Sequence, residues 1–482
     1  MHALLVLAYT ATLAVGDTHE VVVDTERTTV PAMLGFGVQW DPYEYPPDEA
    51  AWALTQRRLD FMRPAVIRVM FGARAYCLGF GADGQPDYVF DHGEAAIAQR
   101  LRWLLAILDY AQAKGIRVML GEWSPPGRIG DQVIGSPDHP LWARLAADCC
   151  QWLRGPRGYT VIDYYNLMNE PNGDWMWPAG RVNRAAWETG IRTLRRELDA
   201  RGLRDLAIVG PDNAWGWDWL DRASATMADQ FGGWEMHWYA GDREVTDGRI
   251  EALLAEKHKV VLANDPAAAG KPFFMGEVGL VEGKTNGDQQ PRVKTFEYGV
   301  HMADIAAQIG RAGWHGAIAW DLDDALHSAN GHAVPPTDTT LKVWGFWNTQ
   351  ARAMGRPDDE AIRPWFTPWS LLCRLFPRGS RLVATGGADL PGLRVLAGVH
   401  AGGTRIMLVN NSDERRELRL RIRSAGPSRV TRWHYLADDH PADADGFPLP
   451  AGPATALEAG APLPISLPGR GVVFVSVDPT TA

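Results

Sequence analysis

Apolar residues alternate between two spacings along residues 31–378. One segment has apolar side chains at helical spacing, and Gly115 ends this pattern before the apolar run 116–120. The apolar positions of this predicted helix are Ile97, Leu101, Leu104, Leu105 and Leu108. A short buried strand therefore follows a helix, and the same order recurs at residues 187–209. Strands that alternate with helices indicate a parallel sheet covered by helices.

The sequence contains eight short apolar strands of this kind, the number in a TIM barrel, the (β/α)8 architecture. They lie near residues 34–38, 66–71, 116–121, 162–168, 206–210, 234–238, 272–276 and 317–320. We therefore predict an α/β fold in which a barrel occupies residues 31–378. In such a barrel the functional residues collect at the carboxyl ends of the strands.

The pattern changes after residue 378. Long helical segments stop, and short alternating strands stand between turns rich in glycine and proline. In one of these strands Leu418, Leu420 and Ile422 alternate with arginines, which is typical of a half-buried strand with a solvated basic face. Residues 379–482 are predicted to form an all-β sandwich, completed by a strand from residues 19–30.

Residues 1–16 resemble a signal peptide. They are largely apolar, and Ala14 and Gly16 provide the small residues of a cleavage site. The apolar run is too short to span a bilayer, and no later segment is apolar enough to do so. We expect a secreted or periplasmic protein. A cytoplasmic location is the alternative, because no Lys or Arg precedes the apolar run.

Composition and charge narrow the choice of partners. The chain of 482 residues has a formal net charge of −10, which argues against a nucleic-acid partner, since such proteins normally show a basic surface. Its 21 tryptophans are unusual in number. Indole rings match the flat C–H faces of sugars, although many of these rings are expected in the core. The four cysteines have neither metal-site nor redox spacing and are expected to be free, buried thiols.

Two glutamates stand where predicted strands end. Glu170 follows the fourth strand in Asn169-Glu170-Pro171, and Glu277 follows Gly276 at the end of the seventh. Cleavage of a glycosidic bond requires two carboxyl groups, one that donates a proton and one that attacks carbon. The pair therefore indicates a glycosidase.

The barrel region resembles clan A, a large group of retaining glycoside hydrolases built on TIM barrels. The resemblance rests on motifs that occur in the expected order on the expected strands. They are Arg68 on strand two, Asn169-Glu170-Pro171 after strand four, His237-Trp238-Tyr239 on strand six, Gly276-Glu277 on strand seven and Trp320 on strand eight. Features shared with families 30, 39 and 5 leave the family within the clan open.

The resemblance and the chemistry assign a role to each matched residue. Glu170 is expected to act as the general acid and then as the base, and Glu277 as the nucleophile. Arg68 and Tyr239 are expected to hold Glu277 charged and in position. His237 belongs to the same strand-six motif and is expected to support the site. Further contacts with the sugar are expected from Asn169, which would bond its 2-hydroxyl, and from Trp320, which would form the floor of the subsite.

Other residues are weaker candidates. Glu122 and Trp123 end the third strand and are expected either to contact a sugar hydroxyl or to pack in the core. Tryptophans on loops that follow strands are expected to provide aromatic platforms for the substrate, and two or three of them are expected to touch it. These are Trp40, Trp175, Trp177, Trp215 and Trp217.

No metal or cofactor is predicted. His327 and His332 stand near the acidic residues Asp321, Asp323 and Asp324, but their spacing matches no recognised metal site.

We therefore predict a retaining β-glycosidase that hydrolyses β-linked oligosaccharides or glycosides by double displacement. The long segment 322–363, which follows the eighth strand, favours a closed pocket and exo action. An endo-β-glycanase, acting on a glucan or mannan, is the alternative on the same barrel. A transglycosylase shares every residue named, and a catalytically silent carbohydrate-binding barrel is the alternative of another class.

Overall fold

A computed structural model describes residues 18–42, 48–324, 337, 341–423 and 425–480. The predicted signal peptide at residues 1–16 lies outside the described residues, so export remains a prediction. His327 and His332 also lie outside them. Within the described residues, no helix combines the length and the apolar character that a membrane crossing needs.

The strands alternate with helices through the first two thirds of the chain and then follow one another directly. The strands are β1 (His19–Val30), β2 (Gly35–Gln39), β3 (Val66–Phe71), β4 (Cys77–Phe80), β5 (Pro86–Tyr88), β6 (Arg117–Glu122), β7 (Gly127–Ile129), β8 (Gln132–Ile134), β9 (Ile162–Asn166), β10 (Ala207–Pro211), β11 (Gly233–Ala240), β12 (Phe273–Leu280), β13 (Gly316–Ala319), β14 (Arg381–Gly386), β15 (Leu393–His400), β16 (Gly403–Asn410), β17 (Arg416–Ile422), β18 (Ser428–Tyr435), β19 (Thr455–Leu457), β20 (Leu463–Leu467) and β21 (Gly471–Pro479). The α-helices are α1 (Glu49–Met62), α2 (Gln99–Lys114), α3 (Pro140–Arg154), α4 (Arg184–Ala200), α5 (Asp218–Thr226), α6 (Asp242–Thr246), α7 (Arg249–Asn264), α8 (Phe296–Arg311) and α9 (Phe366–Leu375).

Eight parallel strands close into a barrel, which confirms the predicted (β/α)8 fold. Their order around the barrel is β2, β3, β6, β9, β10, β11, β12 and β13, with β13 pairing back to β2. Each predicted strand falls on one of these. The seventh runs further than predicted, to Leu280, because β12 stays paired with β11 as far as Ala240. The short hairpins β4–β5 and β7–β8 are insertions between strand and helix.

The helix with the clearest sequence pattern shows why the helices cover the barrel. The predicted apolar positions Leu101, Leu104 and Leu108 of α2 are all buried. The helix stops at Gly115, whose φ of 68° is a left-handed conformation that glycine adopts without strain.

The four cysteines are buried and unpaired in the described structure, as predicted. They are Cys77, Cys149, Cys150 and Cys373.

An apolar layer plugs the barrel interior on the side away from the strands' carboxyl ends. Its side chains come from seven of the strands or from residues just before them, and they form a core of their own. The members are Leu34, Val66, Met119, Tyr164, Val209, Phe274 and Ile318. The opposite end of the interior is therefore left for polar groups.

The strands outside the barrel form one nine-stranded sheet, in the order β19, β18, β21, β16, β15, β14, β1, β17 and β20. The early strand β1 lies between β14 and β17, antiparallel to the first and parallel to the second. Leu457 near one end of this order and Ile465 near the other belong to the same buried core. The sheet therefore curls over itself, as expected for a sandwich-like all-β domain.

A buried ionic contact joins the two domains. Asp304 on α8 lies 3.6 Å from Arg394 on β15, and it accepts hydrogen bonds from Asn411 at 3.0 Å and Gln308 at 2.9 Å. Burial raises the pKa of Asp304 to about 6, although Arg394 opposes this shift. Arg394 also donates to the carbonyl of Thr246 at 3.0 Å. One side chain of the β domain thus neutralises a carboxylate buried in the barrel.

We expect Arg394→Ala to lower the free energy of unfolding by about 3 kcal/mol at pH 8, because Asp304 would be left charged and buried. The loss should shrink at pH 5, where the raised pKa of Asp304 keeps this carboxyl neutral. Thermal or urea unfolding at the two pH values measures both effects. The double variant Arg394→Ala/Asp304→Asn should recover part of the stability, and an equal loss at both pH values would contradict the ionic explanation.

Candidate active site

Glu170 and Glu277 meet at the carboxyl end of the barrel. Glu277 lies within β12 and is 4% exposed, and Glu170 follows β9 on the loop that begins at residue 167. One carboxylate oxygen of each glutamate and a ring nitrogen of His237 all lie within 4.8 Å of one another. Glu170 has a φ of 41°, a left-handed conformation unusual for a residue with a side chain. The surrounding contacts must therefore hold it in place.

An irregularity in β12 turns Glu277 towards the barrel interior. Phe274 belongs to the interior layer, so strict alternation would send a side chain three residues later to the outside. The pairing with β11 shifts by one residue between Met275 and Glu277, which leaves Gly276 as the extra residue of a bulge. A Cβ atom on Gly276 would stand 2.3 Å from an oxygen of Glu235, so the neighbouring carboxyl group needs a glycine there.

Arg68 is the shared hydrogen-bond donor of the site. This fully buried guanidinium donates from Nη1 to Glu277 Oε1 at 2.5 Å, and from Nη2 to Asn169 Oδ1 at 2.8 Å and Asp212 Oδ2 at 3.0 Å. It also donates to Gln39 Oε1 at 2.5 Å. One cation therefore fixes the positions of side chains from four other segments of the barrel.

The nucleophile candidate has a second donor. The hydroxyl of Tyr239 donates to Glu277 Oε2 at 2.7 Å, and the ring of His237 lies 3.6 Å from the same oxygen. Burial raises the pKa of Glu277 above its ordinary value, whereas His237 and Arg68 favour the charged form. The hydrogen-bond donors around this carboxylate thus act to keep it ionised and oriented.

His237 connects the acid/base candidate to a buried carboxylate. Its Nδ1 lies 3.1 Å from Glu170 Oε1, and its Nε2 lies 3.0 Å from Asp212 Oδ1. Burial acts to lower the pKa of His237, but Glu277 and Asp212 outweigh it and raise this pKa well above the ordinary value. A protonated ring can donate to Glu170 and to Asp212 at the same time.

Asp212 and Glu235 are site residues that sequence reasoning missed. Burial alone would raise the pKa of Asp212, but Arg68 and His237 lower it, so this group is ionised. Burial together with the charge of Asp212 raises the pKa of Glu235 well above its ordinary value, which favours its neutral form. A signal existed in the sequence, since Glu235 stands two residues before His237 and so shares a face of the strand with it.

Trp320, the residue expected to form the floor, contacts Trp123. Trp320 follows β13 and Trp123 follows β6, and their rings meet edge to face with centroids 5.9 Å apart. Both follow the carboxyl ends of their strands. Trp175 is half exposed, and its Nε1 donates to Glu170 Oε2 at 3.0 Å. The structure thus brings these three tryptophans to the carboxyl end of the barrel.

Glu122 and Trp40 point away from the barrel interior, which fits the packing alternative for Glu122 and corrects the substrate contact expected of Trp40. Glu122 is buried on the outer side of β6, where it accepts from Trp142 Nε1 and Tyr76 hydroxyl, each at 2.7 Å. These contacts fit the packing alternative. Trp40 is fully buried against Trp52 and the α2 residue Tyr110, outside the barrel wall. In both strands alternation places the preceding residue in the barrel and sends these side chains outwards.

Two sets of polar side chains are close enough to hold a metal ion, Glu170 with His237 and Glu277, and Asp212 with Glu235 and His237. In the first set His237 bonds Glu170 and Arg68 bonds Glu277, and in the second set His237 and Arg68 both bond Asp212. These groups therefore compensate one another's charge, and the arrangement suits proton transfer better than metal ligation.

The fold is similar to those of several solved structures. A GH30 endoxylanase from Clostridium papyrosolvens has a TM-score of 0.63 at 13% identity, covering 95% of this chain and 100% of its own. A monomeric β-xylosidase from Caulobacter crescentus gives 0.67 at 15% identity, covering 96% and 100%. A GH39 enzyme from Xanthomonas axonopodis pv. citri gives 0.64 at 16% identity, covering 96% and 98%. No family model and no curated protein matches the sequence.

The fold is that of the clan A glycoside hydrolases. Members of families 30 and 39 are both among the similar structures. At these identities the likeness establishes the fold alone, and the roles of individual residues remain predictions.

We expect Asp212→Asn to lower the pKa of His237 by about 1–2 units, because the substitution removes one of the negative charges that stabilise the protonated ring. NMR titration of the histidine rings measures this shift. Glu235→Gln is the matched control, since it replaces a group that is already neutral and should move the titration far less. Equal shifts in both variants would show that Glu235 is ionised.

Proposed function

We propose that the protein is a retaining β-glycosidase. The approach of Glu170 and Glu277, with carboxylate oxygens within 4.8 Å, carries this proposal. Retaining glycosidases hold their two carboxyl groups about 5–5.5 Å apart, whereas inverting enzymes leave about 6.5–9.5 Å for a water molecule. The short separation supports direct attack by one carboxylate on the sugar.

In the first step Glu277 attacks the anomeric carbon. A bond forms between this carbon and a carboxylate oxygen of Glu277, while the bond to the leaving oxygen breaks. Glu170 transfers its proton to that oxygen, so the leaving group departs as an alcohol. Arg68 and Tyr239 hold the nucleophile through hydrogen bonds at 2.5 and 2.7 Å.

In the second step water replaces the enzyme ester. Glu170, now a carboxylate, accepts a proton from water as the water oxygen attacks the anomeric carbon. The bond to Glu277 breaks, and this residue regains its charge. Two inversions at one carbon give net retention.

Asn169 is placed to recognise the sugar. Its Oδ1 accepts from Arg68 at 2.8 Å, which leaves the Nδ2 hydrogens as the donors for a substrate hydroxyl. The sugar 2-hydroxyl lies beside the anomeric carbon, where such a bond strengthens in the transition state.

Exo action is the finer part of the proposal. Trp344 belongs to the long segment that follows β13. Its ring contacts the ring of Tyr239 edge to face, with centroids 5.4 Å apart. Trp344 is buried and donates to the carbonyl of Asp288 at 2.9 Å. This contact supports a wall beside the nucleophile, which suits a pocket that receives a chain end.

The first substrates to test are aryl β-xylosides and β-linked xylo-oligosaccharides, because a β-xylosidase and endoxylanases share the fold. Aryl β-glucosides come next, since a glucosidase from Croceicoccus marinus also shares it. Release of single sugars from an oligosaccharide end would support exo action. Internal cleavage would favour the endo alternative.

We expect Glu277→Gln to lower kcat by at least about 1,000-fold on any active substrate, because the amide cannot form the glycosyl-enzyme. Sugar release from the aryl glycoside panel measures the loss. Glu458→Gln, an exposed glutamate of the β domain, is the matched control and should keep wild-type activity. Equal activity in wild type and Glu277→Gln would reject the assigned nucleophile.

We expect Glu170→Ala with added azide to yield a β-glycosyl azide, because a small anion can attack the glycosyl-enzyme without a general base. An aryl glycoside with a good leaving group supplies the intermediate, and NMR of the product gives its configuration. An α-azide would instead indicate that Glu170 is the nucleophile. Sugar binding by the wild type without turnover of any substrate would favour the silent carbohydrate-binding barrel.

A further inference from the structure

Two tryptophans stand out because they are exposed. Trp175 is 50% exposed and Trp215 is 59% exposed, whereas the other tryptophans are buried or half-buried. Their rings contact each other, with centroids 5.3 Å apart. Large apolar side chains that stay exposed together commonly mark a binding surface.

The loops that carry these rings are tied to each other. Asn172 donates from Nδ2 to the carbonyl of Trp215 at 2.6 Å, and its Oδ1 accepts from the amide of Ala214 at 2.9 Å. Next to Asn172, Gly173 leaves room for the ring of Trp175 to fold back over the backbone. A Cβ atom at this position would lie 2.2 Å from the ring. The two loops are therefore held together, and their rings are in contact without any ligand.

The pair lies on the side of the site where the leaving group departs. Trp175 donates to the Oε2 atom of Glu170 at 3.0 Å. The proposed acid must approach the leaving oxygen, whereas Tyr239 and Trp344 lie on the side of Glu277. A group attached to the leaving oxygen would thus extend past Glu170, towards the exposed rings.

We propose that Trp175 and Trp215 form the binding site for the leaving group, and that this site selects leaving groups with a flat apolar face. A sugar ring and an aryl group both have such a face, and indole rings stack on either. A small leaving group gains nothing there. This inference rests on the proposed glycosidase activity and adds the class of leaving group that the enzyme accepts.

The test compares leaving groups on the same sugar. Wild type, Trp215→Ala and Trp215→Phe are assayed with an aryl glycoside, a disaccharide and the glycosyl fluoride. Fluoride is small and needs no proton to depart, so its release reports the nucleophile without the proposed site. The measured quantity is the ratio of kcat/KM for each bulky substrate to kcat/KM for the fluoride.

We expect Trp215→Ala to lower this ratio about tenfold, mainly through KM, and Trp215→Phe to lower it less because a ring remains. Leu262→Ala, an exposed apolar residue on α7, is the matched control and should leave the ratio unchanged. A fall for both bulky substrates indicates a site for a sugar ring. A fall for the aryl glycoside alone indicates an aryl site.

An unchanged ratio in Trp215→Ala would overturn the inference, and the rings would then serve another ligand, such as a protein partner. An equal loss with the fluoride would also overturn it, because the residue would act on the bound sugar or on the fold. If wild type failed to hydrolyse the fluoride, the glycosidase proposal itself would fail, which separates the two conclusions. Circular dichroism of each variant checks that it is folded.

Discussion

The candidate site depends on one buried cation that bonds two carboxylates and two side-chain amides. Arg68 is fully buried and bonds Glu277, Asp212, Asn169 and Gln39, which come from other parts of the barrel. A buried charge is costly unless it is paired and hydrogen-bonded, so none of these partners can move alone. The requirement that Arg68 be satisfied thereby sets the positions of the proposed nucleophile and of the carboxylate behind His237.

The barrel separates Arg68 and its carboxylate partners from the apolar core. The interior layer that includes Met119 and Phe274 fills one end of the barrel, while polar side chains occupy the other. The bulge at Gly276 then turns Glu277 inwards and leaves space for the Glu235 carboxyl. Burial and the charge of Asp212 favour the neutral form of Glu235, while Arg68 and His237 favour the charged form of Asp212, which limits the repulsion between the two acids.

The same arrangement gives the site two distinct sides. On the side of Glu277, Tyr239 bonds the carboxylate and its ring contacts the buried Trp344. On the side of Glu170, the exposed rings of Trp175 and Trp215 face solvent. In the proposed function the sugar that becomes bonded to the enzyme lies on the side of Glu277, and the departing group lies on the exposed aromatic side.

The sequence alone determined the order of strands and helices, the barrel, and the positions of Glu170 and Glu277. These follow from local signals, namely hydrophobic spacing, helix-ending glycines and motifs at strand ends. Tertiary structure alone decided that Asp212 joins the site and that Glu122 and Trp40 lie outside it. The reason is that parallel barrel strands are buried on both faces, so their sequences lack the alternation that would reveal which side chains point inwards.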